Sequence, residues 1–193
     1  MKDLEIRGAG NILGAQQSGF IEEVGFDLYT KLLEEAVAKI KGEEVFGAPD
    51  TKIETDMALM IPDHYINIMQ QKVEIYQRVA GARTLDELEH IRDDVIDRFG
   101  KAPQPVDNLF DAAAVKISAW VNGINKVKMR SGRVELFFEE DKRFSRKEIE
   151  NWRREIDYPM EFSLTGKSSI KIDLSQLGQN SRFQYLRAIL NRI

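Results

Sequence analysis

The apolar spacing of this chain changes period at Asn122-Gly123, and that change limits the folds open to it. Before it, apolar residues recur every three or four positions. Ile66, Met69, Val73, Tyr76 and Ala80 outline one helix, opened by Pro62-Asp63 and stopped by Gly81. Thr84-Leu85-Asp86-Glu87 is a capping box, in which the Thr oxygen and the Glu carboxylate satisfy end amides reciprocally. The helix it opens runs to Phe99-Gly100, with Pro103 beyond to prevent continuation. Pro105 starts a third helix that buries Val106, Leu109, Phe110, Ala113 and Ile117. After Gly123 the period is two. Val127 and Met129, a Ser131-Gly132 turn, and Val134, Leu136 and Phe138 predict a hairpin. Ser145-Arg146-Lys147-Glu148 opens a further helix through about Ile156. Met160, Phe162 and Leu164, then Ile170, Ile172 and Leu174, predict two strands around Thr165-Gly166. A last helix from about Asn180 buries Phe183, Leu186, Ala188 or Leu190, and Ile193. An earlier strand puts Ile53, Met57, Leu59 and Ile61 on one face and Lys52, Glu54 and Asp56 on the other. Helices early and strands late predict an α+β domain with a small, mostly antiparallel or mixed sheet, not a regular βαβ winding.

A different unit precedes that domain. Residues 8–19 read GAGNILGAQQSG, and Glu22 to Lys41 follow as an amphipathic helix with Val24, Leu28, Leu32, Ala36 and Ile40 in one stripe. Such a stripe needs something to pack against. Left uncovered, it favours self-association. The expected organisation is therefore a loop–helix extension over residues 1–44, a linker over 45–51 and an α+β domain over 52–193. Hydrophobic content of 42% with 31% charged residues is ordinary for a soluble protein, and no apolar run approaches a membrane span. The opening Met1-Lys2-Asp3-Leu4-Glu5 lacks the apolar run of a signal peptide. The absence of cysteine excludes disulfides, thiolate metal sites and Cys nucleophiles, and fits a cytoplasmic protein. A net charge of −4 argues against a dedicated nucleic-acid binder. Lys167, Lys171, Arg182, Arg187 and Arg192 nevertheless make the C-terminal end basic, either as a solvated face or as a binding site.

Catalytic signatures fail on spacing. Gly8, Gly10 and Gly14 give G-x-G-x-x-x-G, whereas a dinucleotide fingerprint needs G-x-G-x-x-G running directly into a helix. Gly166-Lys167-Ser168 resembles the end of a P-loop, but Glu161 stands where the first glycine belongs and would repel phosphate. His64 and His90 are isolated, on different predicted helices, without the spacing of a metal pair. No G-x-S-x-G, H-E-x-x-H or Cys–His arrangement is present. The chain by itself reads as non-catalytic, with no cofactor or metal of its own. One surface is patterned. With Leu88, Ile91, Val95 and Phe99 toward the core, Glu87, His90, Asp94, Asp97 and Arg98 fall on another face. An intrahelical Asp94–Arg98 pair accounts for this ridge, and a docking surface is the other reading.

The run Asp3-Leu4-Glu5-Ile6-Arg7-Gly8-Ala9-Gly10-Asn11-Ile12-Leu13-Gly14, then Gln17-Ser18-Gly19, resembles the translocation motif shared by the bacterial transcription-repair coupling factors and RecG-type helicases. Gly25-Phe26-Asp27-Leu28-Tyr29, Ile75-Tyr76-Gln77-Arg78 and Asp97-Arg98-Phe99-Gly100 point to the coupling-factor family. The resemblance implies that residues 1–44 are the tail of that motif, with Arg7, Gly8, Gly10, Gly14, Gln17, Ser18 and Gly19 its matching positions. It implies that the rest is a C-terminal regulatory domain of an ATP- and Mg-dependent DNA translocase that displaces stalled RNA polymerase and recruits UvrA. By the same resemblance this domain docks on the N-terminal UvrA-binding domain of the same protein, with Asp94, Asp97 and Arg98 as candidate docking residues. The nucleotide loop and both motor lobes are expected to lie N-terminal to the chain read here.

Overall fold

The computed structural model describes residues 50–139, 142–163 and 167–193. Within them the α+β expectation holds. The order is β1 (Lys52–Thr55), α1 (Met69–Gly81), α2 (Leu85–Phe99), α3 (Gln104–Val121), β2 (Ile124–Arg130), β3 (Arg133–Phe138), α4 (Arg146–Glu155), β4 (Met160–Ser163), β5 (Ser169–Asp173) and α5 (Arg182–Leu190), the last preceded by a 3-10 turn. The five strands form one mixed sheet in the order β1-β2-β3-β5-β4, parallel only between β1 and β2. A parallel pair cannot be joined by a hairpin, and the three helices α1–α3 make the crossover. The extension, its glycines and its amphipathic stripe lie outside the described residues, as do Leu164, Thr165 and Gly166.

Alternation in β2 and β3 does what period two requires. Val127, Met129, Val134, Leu136 and Phe138 are buried, and β5 adds Ile170 and Ile172 to the same face. Across that face lies α3, the most apolar helix, which packs on β1, β2, α1, α2 and α5. Trp152 of α4 closes one end of the core edge-on to Phe138, at 6.2 Å between ring centroids.

Three elements depart from the sequence reading. The first strand stops at Thr55, although Met57, Leu59 and Ile61 stay buried at alternate positions. Their burial persists because side chains replace the missing ladder. Asn108 Nδ2 donates to the Ala58 carbonyl (3.3 Å), and the Ile61 amide donates to the Tyr76 hydroxyl (2.7 Å). The first helix starts at Met69, not at Pro62-Asp63. The chain makes a single turn onto the Pro62 carbonyl, pinned by Lys72–Asp63, then resets through Ile68 in the β region. In α5 the buried positions are Phe183, Leu186, Ile189 and Leu190, while Ala188 and Ile193 are exposed.

The Tyr76 hydroxyl yields a test. Tyr76→Phe keeps the ring and strands a buried amide at Ile61, so it should cost about 1–3 kcal/mol. Urea unfolding should show a lower midpoint at unchanged m-value.

Helix ends follow the capping chemistry with one variation. Ser145 and Glu148 form the full reciprocal box on α4. At α2, Thr84 accepts from the Glu87 amide, but the Glu87 carboxylate takes the amide of Arg83 instead of that of Thr84. Glu148 also accepts from the Lys142 ammonium at 2.5 Å. That ammonium first, then the Ser145 amide and hydroxyl, lower its carboxyl to about 2. A depressed carboxyl contributes stability above its unfolded value near 4.5 and loses it as pH falls toward about 2. The stability gap between the parent and Glu148→Gln should therefore be constant above about pH 5 and close progressively below it.

Candidate functional site

The charged ridge sits on α2, whose inner face is fixed by Leu88, Ile91 and Val95, all buried. Phe99 at its end packs against Tyr65 at 6.2 Å, and the Tyr65 hydroxyl donates to the Gly100 carbonyl at 2.8 Å. Gly100 ends the helix at φ 82°, a conformation that favours glycine. The ridge thus rides on a helix anchored along its length and at its C-terminus.

Asp94 and Arg98 meet as the i, i+4 spacing predicts, at 3.6 Å. The stronger partner of Asp94 comes from another helix. Arg78 of α1 donates to Asp94 Oδ2 at 2.5 Å, and that hydrogen bond holds the Asp94 carboxyl below the usual carboxylate range. The Arg98 guanidinium also lies 5.0 Å from the Phe99 ring centroid. Asp97 is exposed and has no ion pair among the described residues. His90 and Glu87 are exposed on the same helix, with Glu87 committed to its cap. The three expected docking residues therefore share one flank, Asp94 and Arg98 in contact and Asp97 beside them. The sequence reading missed Arg78, because its partner is sixteen positions away and no local spacing marks the pair.

The inner edge of α2 carries a second polar set. Arg92 reaches Asp107 at 2.6 Å and Asp111 at 3.8 Å on α3, Gln184 of α5 donates to Asp111 at 3.4 Å, and Arg187 of α5 pairs with Glu89 at 2.8 Å. Burial pushes the Asp111 carboxyl up, against the pull of Arg92. This seam ties α2, α3 and α5 together and keeps the ridge in place.

The basic C-terminal end does not persist as one patch. Arg187 pairs with Glu89, Arg192 with Glu155 at 3.9 Å, and Lys171 with Glu135 at 3.6 Å. Cations gather elsewhere. Lys126, paired with Glu54 at 2.7 Å, shares the sheet face opposite the core with Lys128, Arg130 and Arg133, and Arg130 stands directly across from Arg133. Period two in KVKMRSGR carries this signal. Among the described residues no three His, Cys, Asp or Glu side chains converge as a metal-binding group. Arg7, Gly8, Gly10, Gly14, Gln17, Ser18 and Gly19 lie outside the described residues.

The class of domain follows from its architecture. The fold matches the crystal structure of the C-terminal domain of a transcription-repair coupling factor with a TM-score of 0.61, over 74% of this chain and 91% of that one. At 16% identity this is a likeness of fold alone. The sequence goes further. Residues 55–149 match the TRCF domain family. The chain is 41% identical over 145 residues to the transcription-repair-coupling factor of Bacillus subtilis, which covers 73% of the chain and 12% of that protein. It is 42% identical over 138 residues to that of Staphylococcus haemolyticus, covering 70% of the chain and 12% of that protein. The chain belongs to the TRCF domain family and spans about an eighth of the length of the curated relatives it matches.

Proposed function

We propose that this chain is the C-terminal regulatory part of a transcription-repair coupling factor and works by docking, not by catalysis. Residues 1–44 are read as the tail of the translocation motif, 45–51 as a linker and 52–193 as the regulatory domain. The α2 ridge docks on the UvrA-binding domain near the N-terminus of the same protein and keeps that surface covered. The intact cytoplasmic protein uses ATP and Mg to move on duplex DNA, displaces stalled RNA polymerase and, once the ridge lets go, recruits UvrA. The observation that carries this reading is the ridge itself. Asp94, tied to Arg78 and Arg98, and Asp97, with no ion pair among the described residues, stand on an anchored helix inside the region that matches the family. Exposed charges of this kind give specificity and a salt-dependent, releasable contact.

Calorimetric titration of the chain into the UvrA-binding domain tests it. The combined Asp94→Ala, Asp97→Ala and Arg98→Ala variant should bind at least about tenfold more weakly, roughly 1.4 kcal/mol, while its melting temperature changes little. Arg78→Ala should weaken binding in the same direction. Unchanged affinity in both variants would remove the ridge from the interface. ATP turnover by the chain alone would remove the non-catalytic reading.

The second reading is a DNA- or repair-protein-binding module. Its original basis, the basic C-terminal end, is largely paired with carboxylates, so Lys128, Arg130 and Arg133, which have no ion pair among the described residues, support it better. Like charges directly across strands are destabilising, which makes Arg130 opposite Arg133 a feature the fold does not need. Duplex binding through these groups would lose affinity with salt by a log–log slope of about −0.9 per phosphate neutralised. Lys128→Ala, Arg130→Ala and Arg133→Ala together should flatten that slope.

A further inference from the structure

Four cations without a carboxylate partner among the described residues gather around the β2–β3 turn. Lys128 and Arg130 follow each other on the outer face of β2, about 7 Å apart along the strand. Arg133 stands across from Arg130, about 5 Å away between Cα atoms. The fourth comes from the start of α5. A Cβ built on Gly132 would lie 3.1 Å from the guanidinium carbon of Arg182, so that guanidinium packs directly on the hairpin tip. Its Nε donates to the Leu177 carbonyl at 3.2 Å, which aims the group without neutralising it.

The carboxylates nearby are already engaged. Glu54 holds Lys126 at 2.7 Å, and Glu135 takes Lys171 at 3.6 Å and the Ser169 hydroxyl at 3.3 Å. Asp56 accepts from the Ser131 amide and Asp173 from the Ser175 amide. The turn itself is pinned, since the Gly132 carbonyl accepts from the Leu174 amide at 2.7 Å. A ligand that meets these cations therefore orders little besides their side chains.

Guanidinium groups clustered in this way match phosphate. The step from Lys128 to Arg130 is close to two of the roughly 3.4 Å charge steps along one strand of duplex DNA. The rest of the face decides the form of nucleic acid. Single-strand sites add aromatic platforms on which bases stack. Among the described residues the strands place one aromatic on this face, Phe137, four positions along β3 from Arg133 and covered by the Lys126 ammonium at 5.7 Å. Contacts from the turn therefore go to phosphates and read no sequence. We propose that the β2–β3 tip is a sequence-independent site for the backbone of duplex DNA, held by Lys128, Arg130, Arg133 and Arg182. The proposal rests on the second reading above, and gives it a partner class and a residue from outside the sheet.

Fluorescence anisotropy of the full chain with labelled duplexes of two unrelated sequences, followed as salt is raised from a low starting value, tests it. Both duplexes should bind equally, and a single strand of the same length more weakly. Arg133→Gln with Arg182→Gln should reduce the magnitude of the log–log salt slope by about 1.8, two phosphates' worth. Lys128→Gln with Arg130→Gln should do the same without touching any carboxylate pair of the fold. Lys147→Gln with Arg154→Gln, exposed on α4, removes equal charge elsewhere and should leave the slope unchanged. Duplex binding whose slope survives both tip variants would overturn the site and leave the DNA-binding reading standing. Absence of duplex binding at low salt would overturn both. An equal loss in the α4 control would overturn the site in favour of diffuse attraction, and tighter binding of the single strand would overturn the duplex assignment.

Discussion

Gly132→Ala should lower the melting temperature by roughly 10 °C, the cost of about 2–5 kcal/mol spread over a domain of this size. Two independent penalties add. Gly132 sits at φ 79° in a two-residue turn whose other residue, Ser131, is also at positive φ, 51°. Both values suit a type I′ hairpin turn, and a side chain in the left-handed region costs about 1–2 kcal/mol. The second penalty is space. A Cβ on Gly132 would stand 2.7 Å from Ser175 Cα and 3.0 Å from Ser175 N, against backbone that cannot swing aside. Overpacking of this kind costs a further 1–3 kcal/mol, roughly. The turn cannot retreat easily, because the Gly132 carbonyl accepts from the Leu174 amide at 2.7 Å and Asp56 holds the Ser131 amide at 2.8 Å. Thermal unfolding followed by circular dichroism measures it. A shift of only a degree or two would show that the loop after β5 gives way at little cost.

Phe110→Ala should destabilise the domain by about 3–5 kcal/mol. Phe110 is among the largest fully buried side chains and lies midway along α3, the helix that packs on β1, β2, α1, α2 and α5. Losing the ring removes its transfer energy and leaves a cavity that several elements would have to move together to fill. Phe110→Leu should recover much of the loss, since it restores most of the volume. Guanidinium unfolding of the two variants, compared at one temperature, separates a packing effect from a general weakness of the helix.

Local chemistry made much of this fold legible. The hairpin from Val127 to Phe138 declared itself because one face of each strand is buried, so period two survives in the sequence. Ser145 and Glu148 marked the start of α4 because a capping box is complete within four residues. What stayed hidden depends on distant partners. Met57, Leu59 and Ile61 kept a strand's alternation without a strand's pairing, since Asn108 and Tyr76 supply the missing hydrogen bonds. Of Ala188 and Leu190, read as alternatives, Leu190 is buried, and Ile189, which the spacing did not mark, is buried beside it. The ridge divides the same way. Asp94 and Arg98 were visible as a helical pair, but Arg78 was invisible as a third member because tertiary packing alone brings α1 beside α2. The cations of β2 and β3 went unread, although period two in KVKMRSGR carries them, and only the sheet register shows Arg130 facing Arg133.

A competition titration reaches the docking proposal most directly. The UvrA-binding domain, saturated with this chain, is titrated with UvrA while the bound chain is followed by a fluorophore on exposed Asn180, in the 3-10 turn before α5. If the α2 ridge covers the surface that UvrA needs, UvrA should displace the chain stoichiometrically, and the Asp94, Asp97 and Arg98 triple-alanine variant should be displaced at lower UvrA concentrations. A stable ternary complex of UvrA, its binding domain and this chain would contradict that occlusion.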